Sequence, residues 1–386
     1  MRKPAILSAV AFFAVVLALY TAFAALSAWK RFDGDLSRFS DCGTRFLDAL
    51  PEALRSRIEC TPRPGDGFDG QFFLYLAYDP LLTEGVEAGL DFPRVRARRI
   101  LSSWIAALLT GWGALASPGA VLLVLQILCG AAFVALAATQ LVPARASPAA
   151  RWTTILGLAC APFVLLSIDK STTENLASLL LVLSIVATRT RRLRSGAACA
   201  ALAMLAKDVT ALWPAAVLID ALVRRDGRRV RLFALSFVPL ALWYASILTR
   251  FPGWQGVTEA ITVPLAGLVE AITVSLATFP DEKSAFVLLA APAFVLLSAV
   301  AIRRGAARSA GATGIFAVLS GGLMLALDYP SWSYFLGFAR QAHFLAIAVL
   351  ALEAESSAEG WPVTPLLWGW IGATGVLFSG GRLLLA

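Results

Sequence analysis

The sequence predicts an all-α polytopic membrane protein. Hydrophobic residues make up 59% of its 386 residues and charged residues only 15%, and the mean hydropathy is +0.75. A soluble domain carries about a quarter charged residues. Apolar runs of spanning length recur along the chain with short arginine clusters between them. This pattern indicates a bundle of about 10–12 transmembrane helices.

The chain is predicted to be a single integral membrane domain, 1–386, made of three parts. A first span is expected at 5–28, because the apolar run after the basic start is longer than the core of a signal peptide. Residues 29–118 contain the only extended polar stretch and are predicted to form a large extracytoplasmic loop with juxtamembrane helices. The remaining helical bundle occupies 119–386.

Further spans and the side of each loop follow from apolar length and from the positive-inside rule. The spans are predicted at 119–142, 152–168, 172–188, 232–249, 284–302, 310–327, 340–353 and 362–380. The arginine clusters assigned to the cytoplasm are Arg145 with Arg151, Arg189 to Arg194, Arg224 to Arg231, and Arg303 to Arg308.

Two ambiguous stretches are settled by keeping these clusters on one side. Residues 195–223 must cross twice or not at all, so we expect a hairpin of two short helices with its tip at Lys207 and Asp208. Residues 100–117 are expected to lie along the outer interface, anchored by Trp104 and Trp112, because a crossing there would invert every later loop. The extracytoplasmic face of a bacterial-type cytoplasmic (inner) membrane then collects 29–118, 167–175, the hairpin tip, 250–283 and 328–340.

The polar stretch 29–99 is called the insert below. Its apolar residues Leu47, Leu50, Leu54 and Ile58 recur at helical spacing and predict one amphipathic helix that rests on the membrane or on the bundle. Cys42 and Cys60 share the insert. On an oxidising side they are either a disulfide or two free thiols.

Asp69 is the most informative residue of the insert. It lies in Asp66-Gly67-Phe68-Asp69-Gly70-Gln71, where glycines beside two carboxylates let the backbone turn tightly and place Asp69 at the junction of a loop and a helix. Such a carboxylate can act as a base towards a substrate. The alternative is that Asp69 only caps the helix that follows.

Three other outward segments carry charges suited to chemistry. The arginines at 94, 96, 98 and 99 lie on the outer side, against the positive-inside rule, and their guanidinium groups suit binding of a lipid phosphate. Alternatively, they contact ordinary anionic lipid or the insert's own carboxylates. The loop 167–175 offers Asp169, Lys170 and Glu174 for acid–base or divalent-cation roles, or merely caps. Lys207 and Asp208 are either functional or paired with each other.

A late segment holds Arg340 and, one helical turn on, His343, the only histidine. One histidine excludes a multi-histidine metal site, and His343 is better explained as a packed residue.

These features resemble the GT-C superfamily of integral membrane glycosyltransferases in overall plan and in short motifs at 68–73, 172–175, 205–208 and 340. The resemblance implies a polyprenyl-phosphate sugar as donor and an inverting transfer. Carried over by position, Asp69 is the base, with Asp66 as the other candidate, and Glu174 or Asp169 is a second acidic group. The donor-binding candidates are Arg340 and Lys207, with Arg96, Arg98, Arg99, Gln71 and Lys170. The family's tandem acidic pair does not occur at 69, so the sequence leaves open whether a divalent cation (Mg²⁺ or Mn²⁺) is required.

The function predicted is therefore transfer of a hexose or pentose to a glycan, lipid or protein acceptor in polysaccharide or cell-envelope biosynthesis. A transporter or flippase for a lipid-linked or anionic substrate is the alternative from another class. A scaffold would leave the outward arginines unexplained. Nucleic-acid binding is not expected, because the net charge of +8 arises from arginine clusters between spans.

Overall fold

The computed structural model is helical and describes residues 3–142, 147–251, 264–279, 282–307, 311–327, 342–355 and 363–384. No β-strand occurs in these ranges, where isolated bridges pair Cys42 with Gly67 and Gly43 with Arg63. The all-α prediction is confirmed. The helices are α1 (Lys3–Phe32), α2 (Thr44–Asp48), α3 (Glu52–Arg55), α4 (Gly70–Tyr78), α5 (Pro93–Ala97), α6 (Leu101–Thr110), α7 (Pro118–Gln140), α8 (Pro148–Ala159), α9 (Pro162–Asp169), α10 (Glu174–Arg189), α11 (Leu193–Ala206), α12 (Leu212–Val223), α13 (Gly227–Leu235), α14 (Val238–Arg250), α15 (Ala266–Thr278), α16 (Glu282–Ala307), α17 (Ala312–Leu325), α18 (His343–Glu355) and α19 (Val363–Leu384).

Five stretches of the described chain are long and apolar enough to cross a membrane. Each coincides with a predicted span: Ala9–Phe32, Pro118–Gln140, Pro148–Asp169, Gly227–Arg250 and Val287–Ala307. The third is broken between α8 and α9, since Pro162 has no N–H to continue the helix. Large apolar side chains on α1 are exposed, as expected of residues that face lipid. These are the features of an all-α membrane protein.

The two ambiguous stretches form short helices. Residues 195–223 lie in α11 and α12, which are joined through Lys207 and a 3₁₀ turn, Asp208–Ala211. Helix α6 has 10 residues and so extends only about 15 Å, half the thickness of a bilayer core. It is too short to cross alone. Trp104 on α6 is held by the protein, since its indole N–H donates to the Pro80 carbonyl at 3.0 Å.

The prediction of a single amphipathic helix within the insert is wrong. Two short helices, α2 and α3, take its place, and the break falls at Pro51, which is the N-cap residue of α3. The four apolar residues of the pattern are nevertheless all buried, in the same cluster as α4. Helix α4 is buried along its whole length. The pattern therefore marks a core inside the insert, not a surface that rests on the membrane.

Candidate functional site

The loop before α4 is built on a left-handed glycine and a buried glutamine. Gly67 has φ +70°, and a Cβ there would lie 2.4 Å from the carbonyl oxygen of Asp41. Gln71 is fully buried. Its side-chain oxygen accepts from the Gly43 N–H at 2.9 Å, and its Nε2 donates to the Asp66 carbonyl at 2.7 Å. The predicted contact of Gln71 with a sugar donor would have to compete with these internal hydrogen bonds.

Asp69 precedes α4 but its side chain does not cap the helix. Its Oδ2 accepts from Nη1 of Arg96 at 2.7 Å. The capping alternative is therefore not what the side chain does here. Asp69 is 20% exposed, and Arg96 is 12% exposed.

Arg96 is fixed from a second side by Asp91, which the sequence reasoning missed. Nε and Nη2 of Arg96 donate to the two oxygens of Asp91, both at 2.7 Å, and the guanidinium carbon lies 4.7 Å from the centre of the Phe72 ring. A two-pronged carboxylate contact and ring stacking together leave the guanidinium little freedom. Arg96 is thus a rigid bridge between Asp91 and Asp69.

Asp69 opens onto a cleft of about 450 Å³. Asp66 also lines this cleft; its side chain is 64% exposed and lies 3.1 Å from Nη1 of Arg45. The walls combine three carboxylates with several phenyl rings, a mixture that suits a ligand with hydroxyl groups and an apolar face. The lining residues include Arg45, Phe46, Asp66, Phe68, Asp69, Phe72, Asp91 and Phe92.

The loop between α9 and α10, which contains Lys170, packs closely against the backbone at Gly70, next to Asp69. A Cβ on Gly70 would lie only 2.0 Å from the Lys170 carbonyl oxygen, so the two loops can meet only because residue 70 is glycine. Lys170 forms an ion pair with Asp41, and Asp169 forms one with Arg31 at the end of α1. Asp169 and Lys170 are both buried.

Asp41 joins the same network. Burial by itself would raise the pKa of Asp41, but the adjacent cations of Lys170 and Arg63 outweigh burial and hold that pKa below its usual value. Its backbone is left-handed, with φ +50°. Asp41 and its partner Arg63 were not sequence candidates, and neither was Arg31, the partner of Asp169. Each of these pairs joins residues more than 20 positions apart in the chain.

Lys207 and Glu174 form an ion pair of which both side chains are fully buried, with 2.7 Å between Nζ and Oε1. The Thr172 hydroxyl donates to the other oxygen of Glu174. The pair attaches the α11–α12 tip to the start of α10. Neither group borders solvent, so neither could meet a ligand unless the surrounding residues moved.

Asp208 forms ion pairs with two arginines of the insert. Its Oδ2 lies 3.0 Å from Nη2 of Arg98, and its Oδ1 lies 3.2 Å from Nε of Arg99. Arg94 instead donates from Nε to the Phe251 carbonyl at 2.8 Å. The alternative that these arginines pair with the insert's own carboxylates therefore holds for Arg96, whereas Arg98 and Arg99 reach a residue outside the insert.

Four separate segments thus meet in one region: the Asp69 loop, the arginines around α5, the loop between α9 and α10, and the α11–α12 tip. Arg340 lies outside the described residues. His343 is buried, with its ring 6.3 Å from that of Phe163. In the part of the chain that the structure describes, no group of three or more His, Cys, Asp or Glu side chains is arranged to hold a metal ion.

Comparison of the chain with known protein families, with characterised proteins and with solved structures finds no match. Function must be inferred from the cleft and from the ion pairs around it.

Proposed function

We propose that the protein is an integral membrane glycosyltransferase of the GT-C kind. It would move a hexose or pentose from a polyprenyl-phosphate donor to a glycan, lipid or protein acceptor on the extracytoplasmic face. The observation that supports this most is that Asp69 opens onto the cleft and pairs with Arg96, while Arg98 and Arg99 of the same segment pair with Asp208. A base and a set of cations are what displacement of a lipid phosphate requires.

Asp69 is the proposed base. In an inverting displacement the acceptor oxygen forms a bond to the anomeric carbon, the bond from that carbon to the phosphate oxygen breaks, and the acceptor's proton passes to Asp69. Asp69 suits this role better than Asp66, because Arg96 fixes its position at 2.7 Å. Asp66 is 64% exposed and paired only with an arginine that is itself 67% exposed.

Arg98 and Arg99 are the proposed contacts for the lipid phosphate. Their present partner, Asp208, is one carboxylate shared by two guanidinium groups, so a phosphate could add to the pair without leaving Asp208 unpaired. Lys207 and Glu174 are buried too deeply for direct contact. We assign them the role of holding the α11–α12 tip beside α10, while the phosphate role predicted for Arg340 rests on the sequence alone.

The proposal includes the orientation predicted from the arginine clusters, with the insert outside and about 10–12 spans in all. Helices such as α10 and α11, with 16 and 14 residues, would then cross a thinned or locally covered part of the bilayer.

The test is release of polyprenyl phosphate from a panel of polyprenyl-phosphate hexoses and pentoses by the purified protein in lipid nanodiscs, with candidate glycan, lipid and peptide acceptors supplied. Asp69→Asn keeps the size of the side chain but removes its basicity, so turnover should fall about 100-fold or more while donor binding persists. Asp33→Asn is the matched control, since Asp33 is in the same insert and 96% exposed. Asn also tolerates its left-handed backbone.

Wild-type rates in Asp69→Asn would remove Asp69 from the mechanism and direct attention to Asp66. Movement of an intact lipid-linked sugar across the bilayer, with no release of lipid phosphate, would favour the transporter alternative.

A further inference from the structure

Cys42 and Cys60 of the insert lie side by side. The backbone next to Cys42 pairs with the segment that follows Cys60, through bonds from the Arg63 N–H to the Cys42 carbonyl at 2.9 Å and from the Thr44 N–H to the Arg63 carbonyl at 3.0 Å. Cys42 is part of the apolar cluster around α4, and Cys60 packs against that cluster. The two side chains are close enough to influence each other's ionisation, and both cysteines are in the free form.

The two thiols differ in access. Cys42 is 1% exposed, and the neighbouring thiol and burial raise its pKa well above the usual value. Cys60 is partly exposed and lines an open cavity of about 560 Å³ with Glu59 and Thr61. A reagent in solution would therefore meet Cys60 first.

The pair is connected to the candidate site. Tyr75 belongs to the same apolar cluster as Cys42, and its hydroxyl donates to Oε1 of Gln71 at 3.2 Å. Gln71 in turn holds the loop that carries Asp66 and Asp69. The 17 residues between the cysteines include Arg45 and Phe46, which form one wall of the cleft.

We propose that Cys42 and Cys60 are a redox pair that closes to a disulfide by thiol–disulfide exchange. The Cys60 thiolate attacks the disulfide of an oxidised thiol reagent, forming a mixed disulfide and releasing one thiol. Cys42 then gives up its proton and attacks the Cys60 sulfur, which releases the second thiol. Two electrons pass from the cysteine pair to the reagent.

Closure would tie the two ends of the segment 42–60 together covalently, so that α2 and α3 and the cleft wall stay in place. A closed loop of this length restricts the unfolded chain and makes the folded insert harder to open. The proposal does not depend on the sugar-transfer reaction.

The experiment incubates the full-length purified protein in detergent with oxidised glutathione and then denatures and alkylates it with a maleimide. Intact mass gives the number of labelled thiols among the five cysteines. We expect three labels after oxidation and five after reduction, together with a tryptic peptide pair joining Cys42 to Cys60. The oxidised protein should also unfold at a higher temperature than the reduced protein.

Matched variants separate this pair from the other thiols. Cys199→Ser should still lose two labels on oxidation, whereas Cys60→Ser should lose none and should show no redox-dependent shift in unfolding temperature. Five labels on the wild-type protein after oxidation, or a crosslink that joins a different pair, would overturn the proposal.

Discussion

At the residue scale, the position of Asp69 depends on Asp91 through Arg96. Asp91→Asn leaves at most one hydrogen bond in place of the two-pronged ion pair, because the amide nitrogen cannot accept, and it removes a negative charge close to Asp69. Arg96 would then act on Asp69 alone, which makes that carboxylate a weaker base. We expect turnover to fall about 10-fold and the acid limb of the rate–pH profile to move to lower pH.

The measurement is kcat and KM across pH for Asp91→Asn beside Glu87→Gln, an exposed carboxylate variant from the same stretch of the insert. An unchanged pH profile would show that Asp91 does not act through Asp69.

Asp41 gives a prediction for stability against pH. Its pKa is lowered in the folded protein because Lys170 and Arg63 outweigh the effect of burial. The stabilisation it provides is therefore fully present above its unfolded pKa of about 3.9 and is lost as pH falls through the lower folded value. Asp41→Asn should lower the free energy of unfolding by about 3 kcal/mol at pH 6, as expected when one partner of a buried pair is removed.

Thermal unfolding of the wild type and of Asp41→Asn from pH 6 to pH 3 would check this prediction. The gap between the two should shrink at the acid end, and a constant gap would mean that the ion pairs are not its cause.

At the scale of elements, Gly70 sets how closely the loop before α4 approaches the loop between α9 and α10. Gly70→Ala would put a Cβ 2.0 Å from the Lys170 carbonyl and 3.0 Å from that of Ser40. Backbone must move on one side, so we expect a loss of about 1–3 kcal/mol in stability and a drop in donor turnover. In Gly227→Ala the new Cβ meets nothing within 4 Å, which makes it the control for both measurements. Equal unfolding temperatures would contradict the close contact.

The elements themselves could be predicted where the signal is local. Apolar runs of spanning length and the arginines between them gave the five long stretches, because hydropathy needs no knowledge of contacts. The insert was harder. Leu47, Leu50, Leu54 and Ile58 keep helical spacing across Pro51, and only the proline indicates that two helices share the pattern.

The candidate site could be predicted as a set of segments but not as a set of pairs. Asp91 precedes Arg96 by five residues, so its part in the site was within reach of sequence reasoning. The pairs of Lys170 with Asp41 and of Arg31 with Asp169 join residues 129 and 138 positions apart. Composition and spacing carry no information about contacts at that separation.

At the scale of the whole molecule, helix α10 runs between the two faces of the membrane in the proposed topology. Its first residue, Glu174, belongs to the network that includes the insert, and its last, Arg189, pairs with Glu355 at 3.0 Å. Ser56 in the insert and Ser195 at the start of α11 are both exposed. Ser195 therefore lies near the Arg189 end of α10, and Ser56 belongs to the insert that is linked to its other end.

We predict that Ser56→Cys reacts with a membrane-impermeant maleimide added outside intact cells, and that Ser195→Cys reacts only after the membrane is permeabilised. The reason is that Ser195 follows the cluster Arg189 to Arg194, which the positive-inside rule retains in the cytoplasm, while the insert lies at the other end of α10. The unsubstituted chain measures labelling of its own cysteines. If both variants reacted from the same side, the insert and the arginine cluster would share a face, and the proposed topology would be wrong.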